Sequence, residues 1–151
     1  MNAPVFGNPD QALIDRFVLQ GSAAMAVDSN PMAQALQSTL LRVDRDLGEV
    51  EIVFEPASLF IQGTGVLQGG AVTAMLDFAM AFAVLAKLPP QGSCATTNLN
   101  TSFLRAAPQG RYRAIGVVDR CGRTMAFARA QLLEEKTGNL VATASSSLVV
   151  L

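Results

Sequence analysis

The sequence contains one long apolar run, from Ala71 to Leu88, which constrains the fold more than any other feature. The run is rich in alanine, methionine and leucine, which favour a helix over a strand, and the pair Pro89-Pro90 ends it. A helix that is apolar nearly all round has to be covered by protein on almost every side. The rest of the chain must therefore supply a surface that wraps around this helix.

Short strands separated by turn signals make up most of the remaining chain. Strands predicted at residues 37–44 and 49–55 precede the helix and form a hairpin. The strands predicted after the helix are separated by short turns, which indicates an antiparallel meander; they span residues 95–104, 111–119, 124–134 and 140–150. This order predicts an α+β fold in which an antiparallel sheet of about six strands wraps a long central helix.

An amphipathic segment precedes the first strand. Apolar residues recur there at helical spacing, which predicts an N-terminal helix from Asp10 to about Val27, and Asn30-Pro31 breaks the pattern. We divide the chain into an N-terminal helical segment, residues 1–31, and a main domain, residues 32–151. Residues 1–9 lack a basic stretch followed by an apolar run, so no signal peptide is expected.

The composition excludes several kinds of chemistry. The chain has no histidine, which removes Ser-His-Asp and Cys-His catalysis, His-based metal sites and histidine-dependent dehydration. The net charge of −1 offers no basic surface to a nucleic acid. Cys94 and Cys121 are too few for a disulfide framework or a zinc site, and we interpret them as free thiols of a cytoplasmic protein. Only 15% of residues are charged, which favours a surface partly buried against copies of the same chain.

Asp77 is the only acidic residue in the apolar run. The helix positions around it carry no cation, and apolar surroundings would raise the pKa of this carboxyl toward neutrality, as a general base requires. A structural aspartate satisfied by hydrogen bonds fits the spacing equally well.

An aspartate in mid-helix costs about 2.5–3.5 kcal/mol on membrane insertion, so the run is not expected to span a membrane.

Gly69-Gly70 stands where the helix begins. The first N–H groups of a helix lack internal partners, and glycine lets a ligand approach them, so an oxyanion could bind there. A simple loop-to-helix junction explains the pair as well. Gly69 and Asp77 lie about 12 Å apart along one helix, at about 1.5 Å per residue, too far to contact one reacting carbonyl and its water. If they form one site, Gly69 faces Asp77 of the partner subunit at a dimer interface.

These motifs resemble the hotdog thioesterases of the phenylacetate-degradation and 4-hydroxybenzoyl-CoA thioesterase type. The resemblance covers about Gln37 to Leu151 and rests on Gln62-x-x-Gly65-x-x-Gln68-Gly69-Gly70 with Asp77, on Thr96-Thr97-Asn98-Leu99-Asn100-x-x-Phe103-Leu104-Arg105, on Gly122-Arg123 and on Gly138-Asn139-Leu140-Val141-Ala142. It implies a hotdog fold, a homodimer or homotetramer, and hydrolysis of an acyl-CoA thioester. Coenzyme A would be part of the substrate, with no cofactor and no metal.

The resemblance also implies roles for individual residues. Asp77 would act as base or nucleophile, Gly69 would supply the oxyanion N–H, Gln62 would hold the water or the carboxyl, and Thr96 would orient the nucleophile. Most relatives have His-Gly-Gly where this chain has Gln68 before its glycines. Glutamine forms hydrogen bonds but does not take up or release a proton as histidine does, so we expect Gln68 to position the substrate together with the second glycine, Gly70.

The charged CoA tail should meet surface arginines, and the candidates are Arg105, Arg120 and Arg123. The acyl group is left open, because the large apolar side chains near the site fit a core more readily than a pocket; they are Phe60, Met75, Phe78, Met80 and Phe82.

The alternative function is a non-catalytic acyl-CoA or fatty-acid binding protein, as in hotdog ligand sensors. Such sensors carry a DNA-binding segment, and the predicted N-terminal helix with its single arginine is a poor substitute. A hotdog dehydratase is disfavoured because the chain has no histidine.

Overall fold

The computed structural model describes residues 7–21 and 23–151. In chain order the elements are α1 (Pro9–Gln20), β1 (Met25–Ala26), α2 (Pro31–Ala35), β2 (Thr39–Asp44), β3 (Glu49–Phe54), a 3-10 turn (Ser58–Phe60), α3 (Gly69–Lys87), β4 (Cys94–Phe103), β5 (Tyr112–Cys121), β6 (Met125–Glu134) and β7 (Leu140–Val150).

A single antiparallel sheet wraps the long helix, as the apolar run predicts. The strand order is β1-β2-β3-β5-β6-β7-β4, and α3 packs against every strand from β2 to β7. The fold is the hotdog fold, of class α+β. Among the described residues the sheet has seven strands rather than about six, because β1 adds a two-residue strand beside β2.

The helix lies close to the middle of the sheet because the facing side chains are small. The inner face of β6 presents buried alanines at 126, 128 and 130. On β5 the approach is closer still, since a Cβ added at Gly116 would lie 2.2 Å from the carbonyl oxygen of Ala79. A glycine at this position is therefore required for the helix to pack as it does.

The N-terminal helix is shorter than predicted. Asn8 caps α1 by accepting from the Asp10 N–H, and the helix ends at Gln20 because Gly21 takes a positive φ of 68°. Asn30-Pro31 does not merely break a helix: Asn30 caps α2 by accepting from the Ala33 N–H. Apolar residues of α1 belong to the same core as α3. The division of the chain at residue 31 stays a prediction, and the expectation for residues 1–9 falls largely on residues 1–6, outside the described part.

The predicted meander of four strands is wrong in one respect. β5, β6 and β7 do follow one another, but β4 pairs with β7 and lies at the edge of the sheet. After β4 the chain hydrogen-bonds to the loop before α3, where the Leu67 N–H donates to Ala107 O at 2.7 Å. This crossing carries the chain past the start of the helix, from the edge strand β4 to the central strand β5, and no turn signal in the sequence predicts it.

Within the described residues, α3 is the one helix long and apolar enough to cross a membrane, with a mean hydropathy of 1.7. However, 61% of that helical window is buried inside the protein. Its apolar character is therefore accounted for by the sheet around it.

Candidate active site

Asp77 lies on the one face of α3 that the sheet leaves partly open. Thr96, on the inner face of β4, donates from its Oγ1 to Asp77 Oδ1 at 2.8 Å. No arginine or lysine of the described residues forms an ion pair with Asp77. The carboxylate is thus held by a neutral hydroxyl and keeps a second oxygen for other contacts.

Cys94 is a close neighbour of this carboxylate. Its Sγ lies 3.8 Å from the carbonyl oxygen of Ala81, on the same side of α3 as Asp77. Burial, and then the negative charge of Asp77, raise the pKa of the Cys94 thiol to about 11. The thiol is therefore protonated at neutral pH and is unsuited to act as a nucleophile.

Gly69 and Gly70 form the first turn of α3, preceded by Gln68 as a cap residue without a side-chain capping bond. Neither glycine N–H donates to any acceptor in the part of the chain that the structure describes. A Cβ at Gly69 would lie 3.3 Å from the Phe103 ring, whereas a Cβ at Gly70 would meet nothing within 4 Å. The two donors are available, with an aromatic ring on one side and open space on the other.

Gln62 lies beside these donors. Gln62 and Gly69 line one cleft of about 390 Å³, with Phe103 and Arg105 on its wall. The side-chain oxygen Oε1 of Gln62 accepts from both the N–H and the hydroxyl of Thr64, at 3.2 and 2.8 Å. Its amide nitrogen Nε2 is therefore the group left to donate into the cleft, toward a carbonyl oxygen.

The three candidate arginines do not meet in one protomer. Arg105 lines the cleft beside Gly69, at the start of α3. Arg120 is near the end of β5 and Arg123 lies in the following turn. They follow Val118, which lies beside Gly48 together with Lys87, the last residue of α3. None of the three forms an ion pair with a described residue. All three cations therefore remain available to an anionic ligand.

The structure thus sorts the predicted residues into two separate groups. Asp77 and Thr96 form one, and Gln62, Gly69 and Arg105 form the other, with no carboxylate among the residues that line the cleft. Phe103 belongs to the β4 motif, but the sequence predicts no role for it at the site. Side chains alternate between the two faces of a strand, so the sequence predicts that Phe103 and Thr101 share the inner face of β4. The sequence does not predict that the Phe103 ring lies over Gly69, which only the structure shows.

The five large apolar side chains near the site differ in burial. Met75, Met80 and Phe82 are core residues with at most 1% exposure. Phe60 and Phe78 are only partly buried, and the Phe78 ring contacts the edge of Phe82 at 6.2 Å between centroids. Of the five, only Phe60 and Phe78 are accessible enough to contact a ligand.

Comparison with known proteins identifies the family of the chain. Residues 64–141 match the thioesterase superfamily. A phenylacetic acid degradation-related protein from Ralstonia eutropha is 34% identical, with 90% of this chain and 98% of that chain covered and a TM-score of 0.78. The thioesterase from Haemophilus influenzae is 20% identical over 82% and 84% of the two chains, with a TM-score of 0.73. The Escherichia coli PaaI protein is 16% identical over 96% of each chain, with a TM-score of 0.74. No curated protein matches the sequence significantly.

The fold, together with these similarities, defines a hotdog thioesterase. The chain belongs to the thioesterase superfamily, because the match covers more than half of its length and the Ralstonia protein is similar over nearly all of it. It is a thioester hydrolase.

Proposed function

We propose that the protein hydrolyses acyl-CoA thioesters at two equivalent sites in the interface of a homodimer, alone or within a homotetramer. The separation of the two residue groups carries this proposal. In one protomer the cleft beside Gly69 contains amide donors but no carboxylate. The carboxylate of Asp77 lies outside that cleft, bound to Thr96. A two-fold dimer joins the two groups, so that Gly69 meets Asp77 of the partner subunit.

The edge strand β4 supports pairing of this kind. Its ten residues bond only to β7 among the described strands, so its other side presents free backbone groups. Edge strands of monomers are usually protected by charged residues or proline, and Cys94–Phe103 contains neither. Most of its side chains are exposed in the isolated chain. A second copy of β4 would satisfy these backbone groups and cover the open face of α3.

In the proposed reaction, the thioester carbonyl oxygen accepts hydrogen bonds from the Gly69 N–H and from Nε2 of Gln62. Asp77 of the partner subunit, positioned by its own Thr96, takes a proton from water as that water attacks the carbonyl carbon. The negative charge that develops on the oxygen is stabilised by the two donors. The tetrahedral intermediate then expels the CoA thiolate, which takes up the proton, leaving the free acid. A thiol of pKa near 8.5 leaves readily, so no histidine is needed.

Direct attack by Asp77 through an anhydride uses the same groups, and the proposal includes either route. The CoA nucleotide would lie near Arg105, with Arg120 and Arg123 of the partner subunit as further cations, because the two-fold axis brings opposite ends of the protomers together. No cofactor takes part. The two free thiols fit a cytoplasmic location, where cysteines stay reduced.

The test is Asp77→Asn, assayed by thiol release from a panel of acyl-CoAs with aliphatic and aromatic acyl groups. We expect kcat to fall by at least about a hundredfold, because the variant lacks its general base. The matched control is Asp46→Asn, a solvent-exposed aspartate in the β2–β3 turn. Loss of less than tenfold in Asp77→Asn would remove this carboxylate from the chemistry. Binding of acyl-CoA by the wild-type protein without any thiol release would instead favour the ligand-binding alternative.

A further inference from the structure

Thr73 lies midway between the two groups that the proposed site takes from different protomers. Thr73 is four positions after Gly69 and four positions before Asp77 in the sequence. All three are partly exposed on the same open face of α3. The Thr73 hydroxyl is within 3.1 Å of the Thr101 hydroxyl on β4, which places a pair of hydroxyls at the centre of this face.

The position of Thr73 fixes a register for the dimer. A helix that places Gly69 opposite Asp77 of the partner subunit must run antiparallel to the partner's helix, with the two-fold axis perpendicular to both. Residue 73 is the mean of 69 and 77, so Thr73 then faces its own copy across that axis.

The contacts of the edge strand β4 give the same position for the two-fold axis. Phe103 packs over Gly69, and Thr96 bonds to Asp77. Joining the two groups brings Phe103 beside Thr96 of the partner subunit, and the mean of 103 and 96 falls between residues 99 and 100. Thr101, which contacts Thr73, lies within two residues of that midpoint. Helix and strand therefore locate the axis at one place on the molecule.

We infer that the two-fold axis passes at Thr73, and that the Thr73 and Thr101 hydroxyls of both protomers meet there and hold the two helices in register. The inference rests on the proposed function, whose site it deepens. Gly70 and Ala74 flank Thr73 on the open face and leave room for close helix contact. A slip of one turn would move each carboxylate by about 5.4 Å from its carbonyl. Thr73 is thus a positioning residue for catalysis, although it touches no reacting atom.

Cysteine cross-linking tests this register directly. In a background with Cys94→Ala and Cys121→Ala, the variant Thr73→Cys should form a disulfide-linked dimer on mild oxidation, seen on a non-reducing gel. The matched control is Ala81→Cys, which is partly exposed on the same face but eight residues from the axis. Its two copies would lie about 24 Å apart along the helices, far beyond the Cα separation of about 7 Å that a disulfide allows. Cross-linking through position 81, or none through position 73, would overturn the inference.

Two further variants separate positioning from a merely structural role. Thr73→Val should lower kcat by about tenfold or more while KM changes little, because the reacting groups become misaligned. Thr73→Ser, which keeps the hydroxyl, should restore most of the rate. If Thr73→Cys does not cross-link but is still dimeric by light scattering and still active, the inferred register is wrong while the proposed function stands. A monomeric active enzyme, or an active Asp77→Asn variant, refutes the proposed function itself.

Discussion

Two inactive variants should restore each other's activity if each site is built from two chains. The variants are Asp77→Asn, which lacks the carboxylate, and Gly69→Val, which blocks the oxyanion donors. At Gly69 even a Cβ would lie 3.3 Å from the Phe103 ring, and the branched side chain of valine would further crowd the approach to the N–H. Each variant alone should keep about 1% of wild-type activity or less, given that base and oxyanion groups each contribute about a hundredfold.

The size of the recovery follows from the separation of the two groups. Gly69 and Asp77 lie about 12 Å apart on one helix, so the proposed site combines a Gly69 from one chain with an Asp77 from another. In a random one-to-one mixture of the two variant chains, about one site in four combines an intact Gly69 with an intact Asp77. The mixed protein should therefore show about a quarter of wild-type activity.

The assay is thiol release by protein from cells that express both chains, with the chain ratio checked by mass spectrometry. Circular dichroism and light scattering of each variant alone control for folding and assembly. A mixture no more active than the sum of its parents would show that each site lies within one chain, and the interface mechanism would have to be abandoned.

Three other perturbations test separate parts of the structure. Thr96→Val removes the hydroxyl bound to Asp77 and should lower kcat by about tenfold, while the free energy of unfolding in urea changes by no more than about 1.5 kcal/mol. Gly116→Ala forces a Cβ to within 2.2 Å of a carbonyl oxygen of α3 and should lower the free energy of unfolding by about 3 kcal/mol. In the control Gly110→Ala a Cβ meets nothing within 4 Å, so the free energy of unfolding should change by no more than about 0.5 kcal/mol. Equal urea midpoints for the two variants would contradict this account. Arg105→Ala should raise KM for acyl-CoA several-fold at low salt and leave an acyl-pantetheine thioester unaffected; an equal effect on both substrates would show that Arg105 does not contact the nucleotide.

Local pattern in the sequence was enough for most of the fold. The apolar run predicts α3 to within two residues at its start and one at its end, and the β7 bounds agree with the prediction. These elements are set by hydrophobic periodicity and by proline, which act over a few residues. The end of α1 was predicted too late, because the apolar pattern continues past Gly21 and does not reveal its backbone conformation.

The sequence by itself determined which catalytic groups the chain can offer. A chain without histidine, with Asp77 in its apolar helix and two glycines at the helix start, offers a carboxylate and backbone N–H groups as candidates for the proposed reaction. These features depend only on composition and on spacing along one helix. If Gly69 and Asp77 belong to one site, as we propose, the spacing also implies that the site takes them from two protomers.

Only the tertiary structure decided which groups stand together. That β4 lies at the sheet edge, that Thr96 bonds to Asp77, and that Gln62 and Arg105 share a cleft with Gly69 all depend on contacts between residues distant in sequence. Such contacts form because a common core must be buried. Short turns predict that β2 pairs with β3 and that β5, β6 and β7 are neighbours, but the connection from β4 to β5 does not indicate that β4 pairs with β7.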